Sequence, residues 1–263
     1  MTARITLRAL ALGYLALLLV FPVSMVFVRT FGSGLGAVWE AITTPDAVHA
    51  FWMTVLVAAI AVSANTVFGV LCAIVIVRHD FRGKALLNSL LDLPLAISPV
   101  VVGLALLIVY GRTGLVGGWL AEAGIRIIFS TPGIILATIF ISLPFVVREV
   151  VPVLREIGTE QEQAASTLGA SAFQTFRLVT LPAIRSGVAY GIVLTMARAI
   201  GEFGAVSIVS GKLAGRTETL TVYVEQSFLN FDLVGTYTAA VVLAVIAVAT
   251  LLLTNLSGPE EER

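Results

Sequence analysis

Thr159-Glu160-Gln161-Glu162-Gln163-Ala164-Ala165-Ser166-Thr167-Leu168-Gly169-Ala170-Ser171-Ala172-Phe173-Gln174 is a polar island in a chain that is otherwise strongly apolar. Thr159 followed three residues later by Glu162 is the pattern of a capping box, in which a hydroxyl and a carboxylate each satisfy a free backbone N–H at a helix start. Gly169 stands where such a helix would end on a left-handed residue, and Ser171 with Gln174 repeats the capping pattern at once. The spacing therefore predicts a short helix, a sharp turn and a second helix. That second helix carries Phe173, Phe176 and Leu178 and should stop near Leu181-Pro182, because an interior proline removes a hydrogen bond and clashes with the turn before it. Two short capped helices with one apolar side suit a groove on a separate soluble protein. A loop that merely joins two spans would share these local features.

The rest of the chain sets the context. Hydrophobic residues make up 58% of the 263 and charged residues 12%, against about 25% charged in soluble domains. The mean hydropathy is +1.02. The chain reads as an integral membrane protein. Its 16 basic and 16 acidic residues balance, which argues against a nucleic-acid binder with its basic face. The single cysteine, Cys72, lies in an apolar run and reads as a small core residue.

A span needs about 20 mostly apolar residues, and six windows qualify: Ala9 to Val28, Phe51 to Val77, Leu93 to Tyr110, Pro132 to Val147, Gly187 to Val209 and Leu233 to Leu256. The expected fold is all-α, a polytopic bundle of six transmembrane helices forming one domain over residues 1–263. The first window is too long for a signal-peptide core and is not closed by a cleavage site, so it reads as an uncleaved span. Arg4, Arg8, Arg78, Arg82, Lys84, Arg148, Arg155, Arg177, Arg185 and Arg263 collect on one side of the membrane, and Arg29, Arg112, Arg126, Lys212 and Arg216 on the other. The more basic side is expected to be cytoplasmic, with both termini and the 148–185 loop on it. The opposite connections, Arg29 to Ala50, Gly111 to Thr131 and Gly211 to Asp232, are short and glycine-rich. Pro94 and Pro99 are expected to kink or interrupt the third span and Pro144 the fourth.

The fifth span stands apart. Gly187 and Gly191 form a G-x-x-x-G, continued by Ala197, Gly201 and Gly204, which lets another helix approach closely. Arg198 and Glu202 lie four residues apart, on one helical face, and are the charges inside the six windows. Charge in hydrocarbon is costly unless it pairs or faces water, so the two are candidates for a translocation pathway, with a purely structural ion pair as the alternative.

Other chemistry finds little footing. Gly211-Lys212 is followed by Leu213 where a phosphate-binding loop needs Ser or Thr, and Val206 replaces its first glycine. His49 and His79 sit at opposite faces without a cluster of ligands, so no metal site is expected. No Ser/His/Asp or Cys/His set has plausible spacing, and the chain is not expected to be an enzyme or to bind a cofactor.

Gln163-Ala164-Ala165, then Gly169, then Val179-Thr180-Leu181-Pro182 resembles the "EAA" signature of the membrane subunits of bacterial ATP-binding-cassette importers, with Gln163 where that family usually has Glu and with Glu162 beside it. The resemblance extends to about residues 5–256. The Ile128–Glu149 stretch, Arg198-Ala199-Ile200-Gly201-Glu202-Phe203-Gly204-Ala205-Val206 and Thr217-Glu218-Thr219-Leu220 are similar to sulfate/thiosulfate permease subunits. This resemblance implies the MetI-like type I importer fold. It also implies a second, related permease subunit as heterodimer partner, two copies of a cytoplasmic ATPase that uses the ATP, and a periplasmic or lipid-anchored sulfate-binding protein, all in a bacterial inner membrane. In that family the signature loop docks on the ATPase, which implies a docking surface of Glu162, Gln163, Ala164, Ala165, Gly169, Ala170, Phe173, Leu181 and Pro182. Arg198, Glu202, Gly201 and Gly204 remain the pathway candidates. A molybdate or tungstate permease shares much of the fifth-span pattern. An ion-driven secondary anion transporter is a reading of another class, which would not need the capped bend and would often show a duplicated half.

The basic asymmetry yields the first prediction. A cysteine at Gln161 should be labelled by a membrane-impermeant thiol reagent only from the cytoplasmic side, and one at Ser33 only from outside; labelling of the 161 position in intact cells would refute the topology.

Overall fold

The computed structural model describes residues 2–257, and no strand occurs among the described residues. The chain opens with α1 (Thr2–Leu15) and α2 (Phe21–Gly32), joined without a break by a π-helical turn over Ala16–Val20. After α3 (Leu35–Ile42) comes α4 (Pro45–Arg78). The Thr44 hydroxyl caps α4 by accepting from the Ala47 N–H, and Pro45 occupies a first-turn position where its missing donor is not needed. Then follow α5 (Lys84–Ala96), α6 (Pro99–Tyr110), α7 (Gly117–Glu122) and α8 (Thr131–Ile157). The polar island forms α9 (Glu160–Thr167), α10 (Ala172–Thr175), a π-helical turn over Phe176–Thr180 and α11 (Leu181–Ala183). The chain closes with α12 (Arg185–Ile200), α13 (Gly204–Val209), α14 (Leu220–Leu229) and α15 (Leu233–Ser257).

Thr6–Gly32, Pro45–Arg78, Thr131–Ile157 and Leu233–Thr250 are long and apolar enough to cross a membrane, and two bent helix pairs raise the number to six. The expected third and fifth spans are therefore not continuous rods. Between α5 and α6 the axis turns by 111°, a break inside the expected Leu93–Tyr110 window. The sequence explains it: Ile97 is extended, and Pro99 has no N–H with which to continue the ladder of α5. The expected Gly187–Val209 window ends as a helix at Ile200, and α13 starts afresh after Gly201-Glu202-Phe203. Pro144, by contrast, does not interrupt the fourth span, since α8 runs on through both Pro144 and Pro152. The short, glycine-rich connections between the windows hold helices α3, α7 and α14. Arg263 lies outside the described residues.

The core is built on α8, which packs against both α4 and α12, and these two also touch one another. Val146 sits fully buried at the crossing. A Cβ on Gly69 of α4 would lie 2.7 Å from the Val146 Cβ, and one on Gly191 of α12 would lie 2.9 Å from its Cα. Among apolar lipid tails there is no hydrophobic force to press helices together, so such backbone-distance packing carries the association. Val70, Ala73, Val150, Leu154 and Ile184 extend this cluster toward the polar island. In the other direction, Asn65 is fully buried and donates from Nδ2 to the Ile139 carbonyl (3.0 Å) and the Ser142 hydroxyl (2.8 Å), tying α4 to α8. Interhelical hydrogen bonds of this kind contribute about 0.6 kcal/mol on average. A second cluster, with Met53, Val57, Ile134, Ile141, Val102 and Val206, brings in α6 and α13.

Leucine at 191 cannot be housed without moving the α8 backbone. Gly191→Leu should destabilise the fold by about 1–3 kcal/mol, measured as a lowered thermal midpoint of the purified protein. Gly36→Leu, where an added Cβ meets nothing within 4 Å, should leave that midpoint unchanged.

Candidate functional site

The loop after α8 is folded by local signals and anchored by a distant one. Gly169 adopts φ +86°, and around it the Gly169 N–H donates to Ser166 O (3.0 Å) and the Ala170 N–H to Ala165 O (3.1 Å), closing α9 with a left-handed turn. Ser171 and Gln174 form the expected capping box: the Ser171 hydroxyl accepts from the Gln174 N–H, and the Gln174 side chain accepts from the Ser171 N–H at 2.8 Å. The second helical stretch reaches Ala183 before bending by 71° into α12. It tolerates Pro182 because the π turn is wider, with the Leu181 N–H donating to Phe176 O.

The first capping box does not form. Thr159 precedes α9, but its hydroxyl accepts from the Gln163 side chain (3.1 Å) rather than from the helix backbone. Glu162 is turned inward: Oε2 lies 2.9 Å from Arg78 Nε, and Oε1 accepts from the Thr180 hydroxyl at 2.7 Å. A guanidinium outbids a neutral N–H for a carboxylate, since charge-assisted contacts are about twice as strong. The same Arg78 donates from Nη1 to Leu154 O (3.1 Å) and from Nη2 to Gly158 O (2.6 Å), at the end of α8. Sequence reasoning counted Arg78 only among the basic residues; its partner Glu162 is 84 positions away and no local pattern links them. Gln163, Ala164, Leu168, Gly169, Phe173, Leu178, Leu181 and Pro182 are exposed, and Ala165 and Ala170 half-buried. An apolar ridge of Leu168, Phe173 and Leu178 thus faces away from the bundle.

Arg198 and Glu202 do meet, with Arg198 Nη1 2.6 Å from Glu202 Oε2, although the helix ends between them at Ile200. Arg198 lies in the last turn of α12, where the helix dipole favours a cation. Glu202 is 2% exposed, and its Oε1 accepts from the Ala205 N–H (2.9 Å) in the first turn of α13, while the Thr221 hydroxyl holds its backbone carbonyl (2.8 Å). The carboxylate is thereby fixed from two sides. The Arg198 side chain keeps 30% of its surface open.

The two breaks adjoin one another. A Cβ on Gly204 would lie 2.9 Å from Pro99 Cβ, and one on Gly103 would lie 2.9 Å from Ala205 O, so the start of α13 is pressed against the first turns of α6. Gly201 is exposed within the break itself. Farther along the same end, Glu218 is buried, and its carboxyl is pushed up to about 7 by burial and then by the Asp46 carboxylate. Lys212 is engaged with Glu225 at 2.6 Å. Among the described residues, no group of three or more His, Cys, Asp or Glu side chains is placed to hold a metal ion.

A bundle of broken and unbroken spans with a capped helical bend between two of them defines a class of transport subunit. Residues 65–260 match the model of the binding-protein-dependent transport system inner membrane component family, and the chain belongs to that family. It is 51% identical over 247 residues to the sulfate transport system permease protein CysW of Synechocystis sp., covering 94% of this chain and 90% of that one. It is 39% identical over 244 residues to the sulfate transport system permease protein CysT of Escherichia coli K12, covering 92% and 87%. Its fold matches a bacterial alginate ABC transporter, solved in complex with an alginate pentasaccharide-bound periplasmic protein, with a TM-score of 0.79 at 17% identity over 96% of this chain and 92% of that one.

The turn at Gly169 is testable without any partner. No atom lies within 4 Å of a Cβ built there, so only the backbone resists a side chain. Gly169→Val should raise local opening of the loop roughly tenfold, for about 1–2 kcal/mol of left-handed strain, seen as faster limited proteolysis between α9 and α10. Gly169→Asn, which tolerates this conformation, should stay near the wild-type rate.

Proposed function

We propose that this chain is one of two related membrane subunits of an ATP-driven importer, and that its cargo is sulfate. The observation that carries the reading is identity of 51% to a sulfate transport system permease protein over 94% of the chain. Likeness to both CysW and CysT, two differently named permease proteins of sulfate systems, supports a heterodimer with a second subunit of related sequence. The family description supports delivery of solute by a separate binding protein. Residues 1–263 act as a single permease domain, and ATP is bound by a pair of partner subunits.

The basic-residue asymmetry supports a cytoplasmic position for the 148–185 loop and both termini. There the exposed Gln163, Ala164, Phe173, Leu181 and Pro182, with Leu168 and Leu178, present an apolar ridge to a groove on the ATPase. Gly169 and Ala170 set its bend, and Glu162 holds it to the bundle. At the other functional level, Arg198 presents a partly open cation beside the junction of the two broken spans, and α6 starts there with the positive end of its dipole. An oxyanion crossing a low-dielectric region needs such fixed positive charge. Glu202 positions Arg198 and, by sharing its charge, limits how tightly an anion is retained.

The test is uptake into vesicles carrying the full complex and its binding protein. Labelled sulfate should accumulate only with ATP, thiosulfate and molybdate competing according to fit. Arg198→Gln should lower uptake at least tenfold in complexes that still assemble, with Arg198→Lys retaining more. Accumulation driven by an ion gradient without ATP, or wild-type uptake by Arg198→Gln, would sink the corresponding part of the reading. Exchanging the two charges is not a clean control, because arginine at 202 would face the first N–H groups of α13 in place of the acceptor they use.

A further inference from the structure

We infer that Arg78 is the positioning residue for coupling, the tether through which displacement of the docking loop reaches the membrane helices. The inference rests on the reading of 148–185 as the docking loop. Helix α9 contains no buried residue, so apolar packing does not fix it to the bundle. Its attachment is polar and converges on one side chain. Arg78, the last residue of α4, lies with Nε 2.9 Å from Glu162 Oε2 and donates from Nη2 to Glu162 Oε1 at 3.3 Å. It also donates to the carbonyls of Leu154 and Gly158, at the end of α8, and Thr180 holds Glu162 from the following turn.

One guanidinium therefore joins α4, α8 and α9, and through Glu162 and Thr180 the approach to α12. Of these, α4, α8 and α12 are the helices that meet at Val146, with the loop suspended from them. The arginine side chain is only 11% exposed, so water and salt weaken the tether little. The fork matters as much as the charge, because a lysine ammonium is a point charge that cannot span a carboxylate and two carbonyls at fixed angles. Helices α4 and α8 both end at this point, and a cation at their C-terminal carbonyls is favoured by both dipoles.

The experiment compares Arg78→Met, Arg78→Lys, Glu162→Gln and the Arg78→Met/Glu162→Gln double variant in the assembled complex, reading solute transported per ATP hydrolysed. Arg78→Met should lower that ratio about tenfold, within the range for energetic coupling between sites, in complexes that co-purify normally. Arg78→Lys should fall between it and wild type. Glu162→Gln should also fall, and the double variant should be no worse than the poorer single one, since members of one contact network do not add. A wild-type ratio in Arg78→Met, or additive losses in the double variant, overturns the inference; if Arg78→Met fails to assemble, Arg78→Lys and Glu162→Gln decide by the same ratio. Spin labels at positions 161 and 75 give a readout independent of the ATPase: their distance distribution should broaden in Arg78→Met, and an unchanged distribution counts against the tether. Absence of any cross-link between a cysteine at 163 and the ATPase in the otherwise wild-type chain would instead remove the docking reading.

Discussion

Everything in this fold depends on how closely three backbones approach at Val146. Gly69 and Gly191 leave no room for even a methyl group between their helices and α8. In water such contact would be one contribution among many, but in lipid the competing solvent is as apolar as the side chains and shape fit carries the association. The polar layer one turn away, with Asn65 donating to Ile139 and Ser142, fixes the register of α4 against α8 where valines and alanines alone would let it slide. The small residues of the fifth span thus serve packing at Gly187 and Gly191. At Gly204 the same smallness serves the approach of one broken helix to another.

The polar island obeys a different economy. Its helices are too short to hold their shape by propensity, and they bury almost nothing. Hydrogen bonds at Gly169 and Ser171 give the bend its form, and the ion pair between Glu162 and Arg78 gives it its place. A carboxylate that a sequence pattern assigns to backbone capping is drawn away because a charged partner, brought in by the tertiary fold, binds it more strongly. Gln163 at the adjoining position stays exposed, its side chain donating to the Thr159 hydroxyl.

This division marks what could be read from the chain in advance. Six apolar windows, the turn at Gly169 and the second capping box are local properties, legible because hydropathy and φ preference act over a few residues. The breaks were half legible. Pro99 announced the interruption of the third span, but Pro144 carries the same signal inside an unbroken α8, because neighbouring helices there decide whether a proline ends a helix. Nothing near Gly201 announced the end of α12, and Arg198 with Glu202 looked like two residues on one helical face when they in fact clasp across its end. Arg78 was invisible as more than a topogenic charge, since its partners lie between 76 and 84 positions away.

The junction where α6 and α13 begin has a consequence for hydration. Each break leaves backbone amides and carbonyls without helical partners, about halfway along the 84–110 pair in one case and directly after Ile200 in the other. Hydrocarbon offers such groups nothing, and irregular backbone persists at membrane depth only where protein or water meets it. The two breaks, side by side, therefore call for protein or water at their free backbone groups. Water at such groups raises the local dielectric and lowers the self-energy of charge, so the same interruptions that weaken two helices also ease the burial of the Arg198–Glu202 ion pair beside them.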